Sequence, residues 1–173
     1  MRRFRVRLGR PRGLPVVLVG LFALLLAPST ARAASTWSWP VSGPVVEAFD
    51  PPDSPYGSGH RGIDIAAPAG SVVVAAEGGV VSFAGPVGGR LFLTIDHGGG
   101  LESRYSFLGG LLVRRNDAVL RGMPIALSAT GHAGATVPHL HLGVLQDDVY
   151  QDPLAYLEPV SVTPFIRLAP LLV

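Results

Sequence analysis

Cysteine is absent from the sequence, and so is lysine: all 14 basic residues are Arg. The first absence excludes a disulfide scaffold and every thiolate metal site. The second is a bias of composition and carries no nucleic-acid signal. Charged residues are scarce at 15%, while hydrophobic ones reach 48%, the reverse of a disordered chain. No stretch between Val45 and Leu157 repeats apolar residues with helical period over ten positions. What the chain does have is 22 Gly and 16 Pro in 173 residues. Punctuation of that density excludes a helical bundle and favours short strands joined by tight turns.

The Arg residues are unevenly spread. Arg2, Arg3, Arg5, Arg7, Arg10 and Arg12 precede an apolar run from Leu14 to Ala27, which Ala31-Arg32-Ala33 closes. A positive region, a short apolar core and a small-x-small site describe a secretory signal peptide over residues 1–33. The run is shorter than the ~20 apolar residues a membrane span needs, so no stable span is expected once the signal is removed. Cleavage after Ala33 removes 7 Arg and no acid, and the net charge moves from +2 to 7 minus 12, or −5. The basic character therefore belongs to the leader, and no nucleic-acid partner is implied. An exported chain without Cys fits a secreted or cell-envelope location.

Residues 34–44 hold Trp37 and Trp39 and read as an aromatic lead-in that packs on the domain. The domain spans 45–157, and 158–173 is an apolar, Pro-broken tail. Within the domain, Ser71-Val-Val-Val-Ala-Ala76, Val80-Val-Ser-Phe-Ala84, Leu91-Phe-Leu-Thr-Ile-Asp96 and Leu101-Glu-Ser-Arg-Tyr-Ser-Phe107 are separated by glycine clusters. Runs of this kind are a sheet of hairpins. Ala118–Arg121, Pro124–Ser128 and His139–Leu145 are further strand candidates, and Asn116 suits a left-handed turn position. The fold class expected is all-β, a small antiparallel sheet.

Chemistry is concentrated in histidine. There are five: His60, His97, His132, His139 and His141. Residues i and i+2 of a strand project from one face, so His139 and His141 can point into one cleft with Leu140 in the core behind them. His60 and Asp64 add an imidazole and a carboxylate. Three such ligands and one open position is the ligand count of a catalytic zinc. Ile63 and Ile65 alternate with Asp64 and anchor that segment in the core.

Gly59-His-Arg-Gly-Ile-Asp-Ile65, Ala66-Ala-Pro-Ala-Gly70 and His139-Leu-His-Leu142 resemble the lysostaphin-type, LytM-like zinc metallopeptidases. Gly78-Gly-Val-Val-Ser-Phe-Ala-Gly85, Ile95-Asp-His-Gly-Gly-Gly-Leu101 and Arg121-Gly122 follow the same family order. The resemblance covers roughly Trp39 to Leu157. It implies a peptidoglycan endopeptidase with zinc held by His60, Asp64 and His141, and with His139 a catalytic residue off the metal. It also implies a second catalytic histidine two positions after a Tyr. Here Tyr105-Ser-Phe107 places Phe107 at that point, and a phenyl ring can neither bind a water nor stabilise an oxyanion. His97 lies in an Asp-His-Gly turn and reads as structural. His132, in a loop near the His-x-His strand, is the candidate auxiliary group.

Two functions follow from the resemblance. One is an exported zinc metalloendopeptidase that acts on peptide crosslinks of peptidoglycan. The other is a catalytically weak or inactive wall-binding or regulatory module. Strand alternation places Tyr105 and Phe107 on one face and Arg104 and Ser106 on the other, and the resemblance implies that the Phe107 ring sits at the cleft wall toward the metal. The leader pattern predicts Ala34 as the mature N-terminus. Mass spectrometry of the protein from its native host tests this, and an intact, membrane-retained leader would contradict it.

Overall fold

The computed structural model describes residues 36–54 and 57–159. The leader and most of the apolar tail lie outside these residues. Every named strand pairs antiparallel with its neighbours, in one sheet whose main path runs β1-β2-β9-β6-β5-β4-β7. These strands are β1 (Val45–Glu47), β2 (Ile63–Ala66), β4 (Gly79–Val87), β5 (Arg90–Asp96), β6 (Leu101–Leu111), β7 (Ala118–Val119) and β9 (His139–Gln146). Beside the path, β10 (Val149–Gln151) pairs with β9. β3 (Val72–Val74) pairs with β8 (Pro124–Ser128), which in turn pairs with β6. Among the described residues a single 3₁₀ turn, Pro153–Ala155, is capped by the Asp152 side chain, which accepts from the Leu154 N–H. Among the described residues no helix is long and apolar enough to cross a membrane.

The glycine-separated runs become strands, several of them longer than their sequence patterns. β4 continues through Gly85-Pro86 to Val87, and β6 passes through Gly109-Gly110 to Leu111. Asn116 takes φ 74, as its turn chemistry suggests. β1, β2 and β10 carry no strand signature in the sequence. β1 is three residues long at the sheet edge and mostly exposed. In β2, Ile63, Asp64 and Ile65 are all buried, and their alternation spans only three residues, too few for a strand signature.

The core is made by Ile63 and Ile65 of β2, Leu140 and Leu142 of β9, Leu93 and Ile95 of β5, and Val73, Val81 and Ile125. Each is inaccessible to solvent. The lead-in closes one end. Trp37 is 1% exposed and packs its ring 4.8 Å from His97 and 5.1 Å from Tyr156. Its N–H donates to the Tyr156 carbonyl at 2.7 Å, and Trp39 Nε1 donates to the Glu158 carbonyl at 2.8 Å. Beneath it, His97 Nδ1 donates to the Gly78 carbonyl at 2.8 Å, and Nε2 lies 2.8 Å from the Ser103 hydroxyl. Burial holds the His97 imidazole below its usual range against the Gly78 hydrogen bond.

β6 does two jobs. Its first half lies between β9 and β5, and its second half pairs with β8. The change of partner coincides with an irregularity: Leu93 faces Tyr105 but Leu91 faces Leu108, so β6 carries one extra residue there. Phe107, at φ 61, sits in that bulge. The alternation expected for Tyr105 and Phe107 is broken as a result, because an extra residue re-aims the side chain that follows it. Tyr105 points into the core, while Phe107 faces the histidines.

Tyr105 is fully buried, and its hydroxyl accepts from the Ala76 N–H at 2.8 Å. Burial pushes that hydroxyl up to about 12. A folded-state value above the unfolded one gives stability that is complete below about pH 10 and lost as pH rises toward 12. Tyr105→Phe should cost about 1–3 kcal/mol at neutral pH by leaving the Ala76 N–H unpaired. It should also remove the alkaline loss. Urea unfolding at pH 8 and pH 11 measures both effects.

Candidate metal centre

The register of two strands builds the site. β2 and β9 pair Asp64 with His141 and Ala66 with His139. Directly opposed residues of an antiparallel pair share a face, and the diagonal neighbour two positions along lies within reach. Asp64 therefore stands opposite His141 and diagonal to His139. Its Oδ1 is 2.8 Å from His141 Nδ1, and its Oδ2 is 3.2 Å from His139 Nε2. His60 is held by an isolated bridge in which it and Asp50 exchange backbone hydrogen bonds of 2.7 and 2.9 Å. Its Nε2 lies 3.2 Å from Asp64 Oδ1 and 3.0 Å from His141 Nδ1.

Two glycines make room. A Cβ at Gly62 would collide with the Leu142 carbonyl oxygen and stand 2.8 Å from His141 Nε2. A Cβ at Gly131, where φ is 89, would fall on the His139 ring.

Proton counting defines what the site can hold. A carbonyl only accepts, so the 2.8 Å contact with the Ala48 carbonyl places a hydrogen of His60 on Nδ1, and in the neutral ring Nε2 is then a bare lone pair. Asp64 Oδ1 is an acceptor. His141 Nδ1 carries at most one hydrogen, which serves Asp64. With both imidazoles neutral, the three converging atoms share at most one proton, and His60 Nε2 receives no donor from the other two. A divalent cation resolves this. Tetrahedral zinc with bonds of about 2.0–2.1 Å separates its ligands by roughly 3.3 Å, near the 2.8–3.2 Å seen here. The Ala48 carbonyl would orient the His60 ring, the usual outer partner of a ligating imidazole.

His139 repeats the pattern. Its Nδ1 donates to the Val137 carbonyl at 2.9 Å, and its Nε2 is buried with no hydrogen-bond partner. Burial pushes the Asp64 carboxyl up, but the His141 hydrogen bond and the charges of His141, His139 and His60 outweigh it. The group is held below its usual range.

The remaining sequence candidates gather here too. The His132 ring centroid is 4.9 Å from that of His139, and its Nε2 is 3.8 Å from Asp64 Oδ2. The Phe107 ring is 6.2 Å from both His139 and His141 and 6.0 Å from His132. His97 stays apart, under Trp37. Two residues at the site have no sequence signal. Glu47 reaches within 4.0 Å of His132 Nε2 from the edge strand. Arg90 lies 5.1 Å above the Phe107 ring and donates to the Gly131 carbonyl at 3.3 Å. Neither belongs to a motif, because both arrive through strand pairing distant in sequence.

The sequence model of peptidase family M23 matches residues 58–153. An uncharacterised protein of Mycobacterium tuberculosis is 35% identical over 162 residues, covering 90% of this chain and 63% of its own length. The murein hydrolase activator NlpD of Escherichia coli is 33% identical over 130 residues, covering 74% of this chain and 33% of NlpD. The chain thus spans less than two thirds of either relative. Among solved structures, a zinc-containing peptidase from Vibrio cholerae superposes with a TM-score of 0.58 at 31% identity, over 73% of this chain and 41% of that one.

Gly131→Ala should disturb His139 while leaving His60, Asp64 and His141 in place. The strained φ alone should cost about 1–3 kcal/mol. Thermal unfolding reads the cost, and a shift of the His139 ring resonances without matching changes at His60 locates it.

Proposed function

The chain belongs to peptidase family M23, the LytM-like group, and from that premise we propose that it is an exported zinc metalloendopeptidase acting on peptide crosslinks of bacterial peptidoglycan. The observation that carries the reading is the convergence of His60 Nε2, Asp64 Oδ1 and His141 Nδ1 with too few protons among them. Two imidazoles and a carboxylate without thiolate suit zinc. The leader pattern of residues 1–33 supports export, and the name of the NlpD relative, a murein hydrolase activator, supports peptidoglycan as the substrate class.

His60, Asp64 and His141 would hold the zinc, which supplies Lewis acidity for a scissile amide and activates water at neutral pH. His139 stands off that set. Its Nδ1–H is fixed by the Val137 carbonyl, so its free Nε2 lone pair is aimed into the cleft to accept the proton of the attacking water. His132 is the auxiliary group, exposed beside His139 and able to shuttle that proton to solvent. Phe107 closes the opposite wall and excludes water, but donates no hydrogen bond to a developing oxyanion.

That last point favours a second reading. With phenyl where the family has a second catalytic histidine, the domain would bind zinc and wall peptides and regulate other hydrolases without cutting. One set of measurements separates the two. Limiting zinc should load one ion tightly, and His141→Ala should abolish that binding. Wild-type digestion of purified peptidoglycan, with Phe107→His at least tenfold faster (about 1.4 kcal/mol), would support the peptidase. Tight zinc with no cleavage by either protein would overturn it in favour of the regulatory module.

A further inference from the structure

Asp64 has two oxygens, and the centre described above uses one. Oδ2 points the other way, to His139 Nε2 at 3.2 Å and His132 Nε2 at 3.8 Å. His139 is 2% exposed, and its Nε2 meets this oxygen without making a hydrogen bond. His132 approaches from the loop between β8 and β9. Its Nδ1 lies 3.1 Å from the Ala133 carbonyl, which bares Nε2 toward Asp64 in the same manner. Glu47 Oε2 is 4.0 Å from that nitrogen. Ligand atoms of Asp64, His132 and His139 all fall within 4.8 Å of one another. The cleft they face is about 280 Å³, lined also by Glu47 and Thr136 and open to solvent.

This arrangement holds lone pairs against lone pairs, and its central nitrogen is buried and unpartnered. A buried polar atom without a partner costs free energy. With both rings neutral, a cation between them lets Asp64 Oδ2 relieve it. We propose that this is a second divalent-cation position, held by Asp64 Oδ2, His139 Nε2 and His132 Nε2, with the Glu47 carboxylate reaching it from the exposed side. The carboxylate of Asp64 would bridge the two positions, as in paired-metal hydrolytic sites. The inference rests on the proposed function in one respect: the Oδ1 side is taken to hold the first zinc.

The second position is the weaker one. The first centre is the more enclosed, with His60, Asp64 and His141 exposed by 14%, 1% and 18%, whereas His132 and Glu47 are exposed by 43% and 54% and must be ordered on binding. Its occupation also uses the His139 lone pair that would otherwise act on water. Loading it therefore competes with hydrolysis.

The test is a zinc titration of the metal-stripped full chain, followed by native mass spectrometry and by ¹⁵N resonances of the histidine rings. The first equivalent should move His60 and His141. A second, at higher zinc, should move the Nε2 of His139 and His132 and bring the count to two per chain. His132→Ala, an exposed change that leaves the core intact, should cap the count at one with the first event unchanged. Glu47→Gln should weaken only the second event. A wild-type chain that saturates at one zinc on His60 and His141, or a His132→Ala chain that still takes two, overturns this inference and leaves the proposed function standing. A chain that never loads His60 and His141 overturns both.

Discussion

A single carboxylate, buried to 1% exposure among three imidazoles, is the constraint around which this domain is organised. Isolating an ionised carboxylate from water is costly unless charge or hydrogen bonds replace the hydration. Asp64 is placed there by a register it cannot escape. Ile63 and Ile65 on either side fill the core, so a one-residue slip of β2 would drive the carboxylate into the core and both isoleucines out of it. The same register brings His141 opposite and His139 diagonal. Packing energy from the apolar face thus holds the polar face in an arrangement that it would not adopt by itself.

The other contributions arrive by different routes, and each has its own anchor. His60 comes from a loop pinned by paired backbone bonds to Asp50 and by its own Nδ1 to the Ala48 carbonyl. His139 is pinned by Val137. In both rings one nitrogen is spent on a carbonyl so that the other is presented bare. Fixing tautomer and orientation together is how a site becomes ready for a cation before one arrives. His132 and Glu47 lack such depth of support, and the difference in burial ranks the two sides of Asp64.

How much of this the sequence discloses depends on whether local pattern or distant pairing sets the feature. Strands β3 to β6, β8 and β9 are legible because glycine clusters bound runs of apolar and β-branched residues. The grouping of His139 with His141 follows from strand period alone. β2 is not legible as a strand, because its Ile-Asp-Ile alternation spans only three residues. The bulge in β6 is likewise hidden: Tyr105-Ser-Phe107 reads as straight strand, and the extra residue shows only against Leu91 and Leu93 of the partner. Glu47 and Arg90 carry no spacing rule to the site, since their proximity is made by three-dimensional pairing. The leader and the tail lie outside the described residues, and their reading rests on sequence.

The bulge gives Phe107 a meaning that its chemistry alone does not. A bulky residue at φ 61 is a genuine backbone outlier and costs about 1–3 kcal/mol. A regular strand would have avoided that cost and sent the ring into the core beside Tyr105. Instead the backbone aims position 107 at three imidazoles, with the Arg90 guanidinium 5.1 Å over the ring. The aiming device is therefore intact, although the side chain it carries cannot exchange a proton. The imidazoles that face this ring come from β9 and the loop before it, and Asp64 and Glu47 join them from β2 and β1, so the polar chemistry of this site lies across from Phe107. Its opposite wall is an apolar, cation-backed surface built on a backbone suited to something more polar.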